Sequence, residues 1–198
     1  MKKILLLALS IFVFSLLPAP VNAQVKNTAP IVQKQVASTT NNVVASDDSV
    51  TKPKVEYQLP FPGILPDNPL YMIKVFRDRV MEILIAEPVR KTEFYVLQAD
   101  KRLGMGVQLL DKGNTALAET TFSKGETYMD KAISTVVNYK TSGKEVPGYL
   151  VERVSRSLAK HKEVFEELAG KASETSKPAL SGLLETVIKL QIEAEKLK

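Results

Sequence analysis

Residues 88–139 read PVRKTEFYVLQADKRLGMGVQLLDKGNTALAETTFSKGETYMDKAISTVVNY, and their apolar period decides the fold. Val89, Thr92, Val96, Ala99, Leu103, Gly106 and Leu110 follow alternating steps of three and four, which sets them on one stripe of a helix opened by Glu87-Pro88. Gly113-Asn114 supplies a stop and a new cap. Ala118, Phe122, Gly125, Met129, Ala132, Val136 and Tyr139 then resume the alternation. So brief a turn sends the later helix back along the earlier one, giving an antiparallel hairpin. Neither stripe can be hidden from water by the hairpin alone, so further helices must cover it.

The flanking sequence supplies them. Thr141 to Val146 form a polar loop, Pro147 opens a helix with Val151, Val154, Leu158, His161, Phe165 and Leu168 on its seam, and Gly170 ends it. A last helix from Lys177 or Pro178 carries Leu180, Leu183, Val187, Leu190, Ala194 and Leu197. Upstream, Pro69 to Ala86 places Lys74, Asp78 and Glu82 on one polar stripe, with Ile73, Phe76, Val80, Ile83 and Leu84 filling the rest. This apolar arc is the widest in the chain, so the first helix is expected to be the most buried. The fold class expected is all-α, an antiparallel bundle of about five amphipathic helices over residues 69–198, after a disordered N-terminal tether. Gly106 and Gly125 fall inside helices, where glycine costs about 1 kcal/mol relative to alanine, and close approach of a neighbouring helix is the expected compensation.

Residues 58–68 form a proline-rich clamp. Pro60, Pro62, Pro66 and Pro69 hold the chain extended, Gly63 permits a turn, and Asn68-Pro69 is a helix start. Phe61, Ile64 and Leu65 are expected to fold back onto the helices. Pro66 and Pro69 also have PxxP spacing, but capping explains them with fewer assumptions.

Ahead of the clamp, residues 24–57 are rich in Thr, Asn, Ser, Val and Lys without sustained period, and read as a disordered tether. Residues 1–23 read as a signal peptide: Lys2 and Lys3 are followed by the apolar run Ile4–Leu17 and by Val21-Asn22-Ala23 as a cleavage site. The 14 apolar residues fall short of the ~20 that span a bilayer. Localisation is accordingly expected to be exported, periplasmic or extracellular. Cleavage takes the basic residues from 27 to 25 against 22 acids, leaving a mature net charge of +3 instead of +5.

The clamp, with Lys74, Pro88, Lys91, Glu93, Lys101-Arg102-Leu103 and Lys112-Gly113, resembles a family of exported bacterial helical domains of unknown function. Its members share a Pro-Gly-Leu/Ile-x-Pro-x-x-x-x-Tyr segment, matched by Pro62 to Tyr71. The resemblance covers Leu59 to Ala132, leaves the fourth and fifth helices outside, and implies a helical fold and export without an activity.

The 198 residues contain no Cys, no Trp and one His, which excludes disulfide scaffolds and thiolate metal sites. Ser157-Leu158-Ala159-Lys160 matches Ser-x-x-Lys, and Lys140-Thr141-Ser142 gives a Lys-Thr element, but their order is reversed and no Ser-Asp-Asn accompanies them. Chance on a polar helix face is the better reading, under which Ser157→Ala is silent. His161 is read as a seam-margin histidine, hydrogen-bonded or reaching solvent between Lys160 and Lys162. Glu166-Glu167 and Asp47-Asp48 are read as solvating pairs. Arg90, Lys91, Glu93, Asp100, Lys101 and Arg102 mix the two signs, which argues against nucleic acid. Gly104-Met105-Gly106 lies within a helical period and is no phosphate loop.

No catalytic, cofactor-binding or metal residue is assigned, and no cofactor is expected. The expected function is a non-catalytic interaction or structural module of the cell envelope, not an enzyme, with an envelope or extracellular protein as partner. A second reading is a periplasmic chaperone or carrier for an apolar ligand or unfolded chain. A weak membrane-surface contact through the first helix, which bears Lys74, Arg77 and Arg79, is a further partner class, set behind burial of that helix in the core. Oligomeric state is left open.

Overall fold

The computed structural model describes residues 54–198, all within the compact unit Ser49–Lys198. The signal peptide and most of the tether read from sequence lie outside the described residues. Five α-helices follow in order: α1 Tyr71–Leu84, α2 Pro88–Asp111, α3 Thr115–Thr141, α4 Gly148–Lys171 and α5 Lys177–Ala194, closed by a 3₁₀ turn at Glu195–Leu197. The all-α fold expected from the helical periods is thus present.

Local chemistry fixes the boundaries. Pro88 opens α2, and the Glu87 carboxylate before it accepts from the backbone N–H groups of Val89 and Arg90 at 2.9 and 2.6 Å. Gly113 ends α2 at φ +77°, while the N–H groups of Asn114 and Gly113 reach back to the carbonyls of Leu109 and Leu110, both at 2.8 Å. This is a Schellman stop. Asn114, expected to cap α3, makes no side-chain cap bond, although its backbone N–H closes the stop of α2. Gly170 does not end α4. It stays helical, and the chain leaves the helix only where Ala172 turns extended at ψ 148°.

Helices α2 and α3 form the hairpin, α3 also packs on α5, α5 on α4, and α4 returns to α2. Four helices therefore close a ring around one core. Phe122 of α3 and Phe165 of α4 meet there edge to face, centroids 5.3 Å apart. A Cβ on Gly106 would stand 2.2 Å from the Phe122 ring, and one on Gly125 would stand 3.2 Å from Arg102 Cβ. Both interior glycines thus allow the close approach of α2 and α3 expected from their positions.

The first helix departs from expectation. α1 lies outside the ring and is turned the other way: Lys74, Asp78 and Glu82 are buried against the bundle, while Met72, Ile73, Phe76, Ile83 and Leu84 face outward. Phe76 and Ile83 are 72% and 70% exposed, so the helix expected to be most buried shows the largest apolar surface. The physical reason is a set of bonds that its polar stripe makes with α3 and α2, described below.

The clamp also divides. Pro62 and Leu65 are buried, with the Pro62 ring lying over Gly104 at van der Waals distance, but Phe61 is 80% exposed and Ile64 is exposed. Asp67 pairs with Lys112 at 2.8 Å, and Asn68 Oδ1 accepts from the Leu70 N–H at 2.9 Å. The end of the expected tether is held as well. Val55 N–H donates to Glu163, and the Tyr57 hydroxyl donates to Asp100 at 2.6 Å.

Candidate functional site: a closed polar centre and an outward apolar face

Two features stand out, one inside the ring and one outside it. Inside, the helical period brings four polar side chains together. Asp100 follows the seam residue Ala99 on α2, Glu126 follows Gly125 on α3, and Ser157 and His161 lie one turn apart on α4. His161 Nδ1 is 2.7 Å from Glu126 Oε1, and its Nε2 is 3.2 Å from Asp100 Oδ1. Ser157 donates to that same Oδ1 at 2.5 Å, and Tyr57 donates to Oδ2.

His161 is fully buried, so of the two expected alternatives it takes the hydrogen-bonded one and does not reach solvent. Burial alone would push its pKa down, but Glu126, then Asp100, outweigh it and hold the imidazole up at about 9. As an imidazolium it donates from both nitrogens, one to each carboxylate. Burial, followed by the Asp100 charge, raises the Tyr57 hydroxyl above its ordinary value and keeps it a donor.

This constellation is a buried ionic core, satisfied except at Glu126 Oε2, which is buried without a hydrogen-bond partner. Ser157 gives its proton to a carboxylate oxygen and makes no bond to His161, so the serine–imidazole link of a nucleophile and its base is not made. Ser157 and His161 have no solvent-accessible surface through which a substrate could arrive. Lys160 donates to Glu163 at 2.5 Å and so points its proton-carrying nitrogen away from the Ser-x-x-Lys reading. The buried bond from Ser157 to Asp100 argues against a silent Ser157→Ala, which would remove a donor from a buried carboxylate.

The remaining sequence candidates are dispersed. Lys140 donates to the Lys196 carbonyl, and Thr141 and Ser142 bond to the last carbonyls of α3. Glu167 pairs with Lys171 at 2.6 Å, and Lys162 approaches Glu166 at 3.9 Å. Asp47 and Asp48 lie outside the described residues. Asp100 and Arg102, read as part of a surface charge mixture, are buried instead. Arg102 donates to Gln98 and lies over the Tyr128 ring at 4.2 Å. Among the described residues no three His, Asp or Glu side chains are grouped to hold a metal ion.

Outside the ring, Glu82 seats α1. Its Oε1 accepts from Lys131 of α3 at 2.9 Å and from the Tyr95 hydroxyl of α2 at 3.2 Å, while Oε2 accepts from Arg79 at 3.0 Å. Burial acts to raise the Glu82 carboxyl, but the Lys131 bond and charge outweigh it and hold the group below the ordinary carboxylate range. Burial, then Glu82, pushes Tyr95 up to about 12. Asp78 is met by Lys74 at 3.1 Å and Arg77 at 2.7 Å. Both carboxylates of α1 are thus turned inward and neutralised.

The outward face continues into two grooves. One of about 500 Å³ runs between clamp and α1, walled by Phe61, Ile64, Leu70 and Ile73 with Lys74, Arg77 and Lys101 on it. The other, about 610 Å³, lies where α1 meets α2 and includes Met81, Leu84, Phe94 and Leu97. Sequence reasoning named Phe61, Ile64, Ile73 and Leu84 among these residues but assigned them to the core, and it did not single out Met81, Phe94 or Leu97.

Comparison with curated proteins and with solved structures gives no match. Comparison with family models gives a match that begins at Gly63, inside the clamp and after the expected start at Leu59, and runs past Ala132 through the whole of α4. The match runs over residues 63–175, more than half of the 198-residue chain, to a domain of unknown function (DUF5667), and the chain belongs to that family.

Proposed function

We propose that the protein is an exported, non-catalytic interaction module of the cell envelope that docks through the outward face of α1. The observation that carries this reading is the orientation of α1, whose Glu82 is held by Lys131 and Tyr95 and whose Asp78 pairs with Lys74 and Arg77, while Phe76, Ile83 and their neighbours stay uncovered. Exposed apolar surface of this kind is kept where a partner covers it. Export is supported by the Lys2-Lys3, Ile4–Leu17 and Val21-Asn22-Ala23 pattern. The carrier reading would have the ring open around an apolar ligand. Phe122 seated on Gly106 and the closed ionic core favour docking on a shut bundle.

The test is fractionation of bacteria expressing the full chain with a C-terminal tag. Recovery in the envelope or medium is expected, with envelope retention lost in Phe76→Glu/Ile83→Glu. Cytoplasmic recovery would sink the export reading, and retention indifferent to both substitutions would sink docking by α1.

A further inference from the structure

The partner class follows from how charge is arranged around the exposed arc. At 3.6 residues per turn, Met72, Ile73, Phe76, Val80, Ile83 and Leu84 span an arc of about 120°. On the same projection Arg77 falls at one margin of that arc and Arg79 at the other. Lys74, Asp78 and Glu82 fall opposite, on the side turned into the protein. Every charge that α1 shows to solvent beside its apolar face is therefore positive, although the helix contains two acids.

From this arrangement we infer that the face binds the surface of an anionic lipid bilayer, with α1 lying in the headgroup plane. The inference rests on docking by α1 and names what is docked upon. An interfacial helix needs an apolar side that enters the acyl boundary and flanking cations whose stems snorkel to the phosphates. Arg77 and Arg79, 63% and 67% exposed at their side chains, stand at those margins, each already bonded to an inward carboxylate, Asp78 at 2.7 Å and Glu82 at 3.0 Å, so a lipid phosphate would share a guanidinium whose remaining N–H groups face solvent. The clamp enlarges the contact. Phe61 projects beside α1, and the groove it shares with Leu70 and Ile73 is lined by Lys101 and by Lys74 and Arg77, which also hold Asp78, so its net charge is positive above an apolar floor, whereas the groove at α2 mixes Glu87 and Glu93 with Arg90 and Arg153.

Fourteen residues give a helix of about 21 Å, suited to lying on a bilayer. Among the described residues no helix is long and apolar enough to cross one. A second copy is the competing occupant, since Arg77 and Arg79 are each bonded to a carboxylate of their own helix, and sedimentation velocity without lipid decides between the two.

The experiment is vesicle cosedimentation of the protein recovered in soluble form from a secreting bacterium, wild type and variants sharing one N-terminus. Binding is expected to phosphatidylcholine vesicles containing phosphatidylglycerol, weakened about tenfold on pure phosphatidylcholine and reduced further by salt. Arg77→Gln/Arg79→Gln should lose about tenfold on the anionic vesicles, and Phe76→Glu/Ile83→Glu should abolish binding. Circular dichroism melts check that each variant folds, and amide exchange over Tyr71–Leu84 checks that α1 stays seated in Arg77→Gln/Arg79→Gln, which also removes bonds to Asp78 and Glu82. Equal binding by Phe76→Glu/Ile83→Glu overturns the inference. So does a dimer, seen by sedimentation velocity without lipid, that those substitutions dissociate. Absence of vesicle binding alongside envelope retention that still needs Phe76 and Ile83 overturns the lipid as partner, leaves docking by α1 standing, and transfers the face to a protein.

Discussion

His161 on α4 and Glu126 on α3 meet at 2.7 Å with neither side chain open to water, and the other ring nitrogen of His161 faces Asp100 on α2. One imidazole therefore ties three helices of the ring together. Two buried carboxylates beside one imidazole make the histidine's charge a structural requirement, since an uncompensated buried charge is far costlier than a buried pair.

Stability should fall as pH rises through the window between the unfolded and folded values of His161. The imidazole titrates near 6.5 in the unfolded chain and at about 9 in the fold, so its contribution is complete below 6.5 and is lost as pH climbs to about 9. The loss is on the order of 3 kcal/mol. Urea unfolding at pH 6 and pH 9 measures it, and the single histidine of the chain gives one imidazole resonance to follow by NMR. In Glu126→Gln the folded value should drop and the slope should flatten. A slope of opposite sign would show that His161 is held neutral.

Ser157→Ala should cost roughly 1–3 kcal/mol, because Asp100 Oδ1 loses its shorter donor in a site water does not reach. Thermal melts read this as a fall of several degrees. A melting temperature unchanged within error would mean that the hydroxyl is replaced at no cost.

Gly106→Leu should be among the most damaging single changes. Even the first added carbon would lie 2.2 Å from the Phe122 ring, so α2 and α3 must separate. Overpacking of this kind costs roughly 1–3 kcal/mol or more, and Phe122→Leu in the same chain should recover part of the loss. Purely additive melting temperatures in the double variant would disprove the contact as the cause.

Glu82→Gln should loosen α1 without unfolding the ring. The bonds to Lys131 and Tyr95 weaken, and amide exchange in Tyr71–Leu84 should accelerate about tenfold or more. Global stability should change by less than about 1 kcal/mol, since Lys131 is partly exposed. Exchange unchanged in α1 would place its anchor in the clamp instead.

The hairpin was fully legible, because Val96, Ala99, Leu103, Phe122, Met129 and Val136 repeat at helical spacing and every one is buried. The orientation of α1 was not. Periodicity tells which side chains share a face and is silent on whether this chain or another body covers that face, so the widest apolar arc was assigned inward. Lys74, Asp78 and Glu82 were recognised as a stripe, yet only the placement of Lys131 and Tyr95 shows why that stripe is the buried one. The ionic core left a fainter trace. His161 stood on a seam, where a buried imidazole demands partners, and Asp100, Glu126 and Ser157 each stood one residue from a seam position on the helices able to supply them.

The attachment of α1 has a mechanical side. Its N-terminal approach is pinned by Asp67 to Lys112, at the far end of α2, and its C-terminal end runs through Ile85 into Pro88, at the near end. Displacing α1 therefore strains α2 at both extremities, covalently at Pro88 and through one partly exposed ion pair at Lys112, the weaker of the two attachments. The outward helix is in this sense moored at two points of unequal strength, and its N-terminal mooring is the one that gives way first.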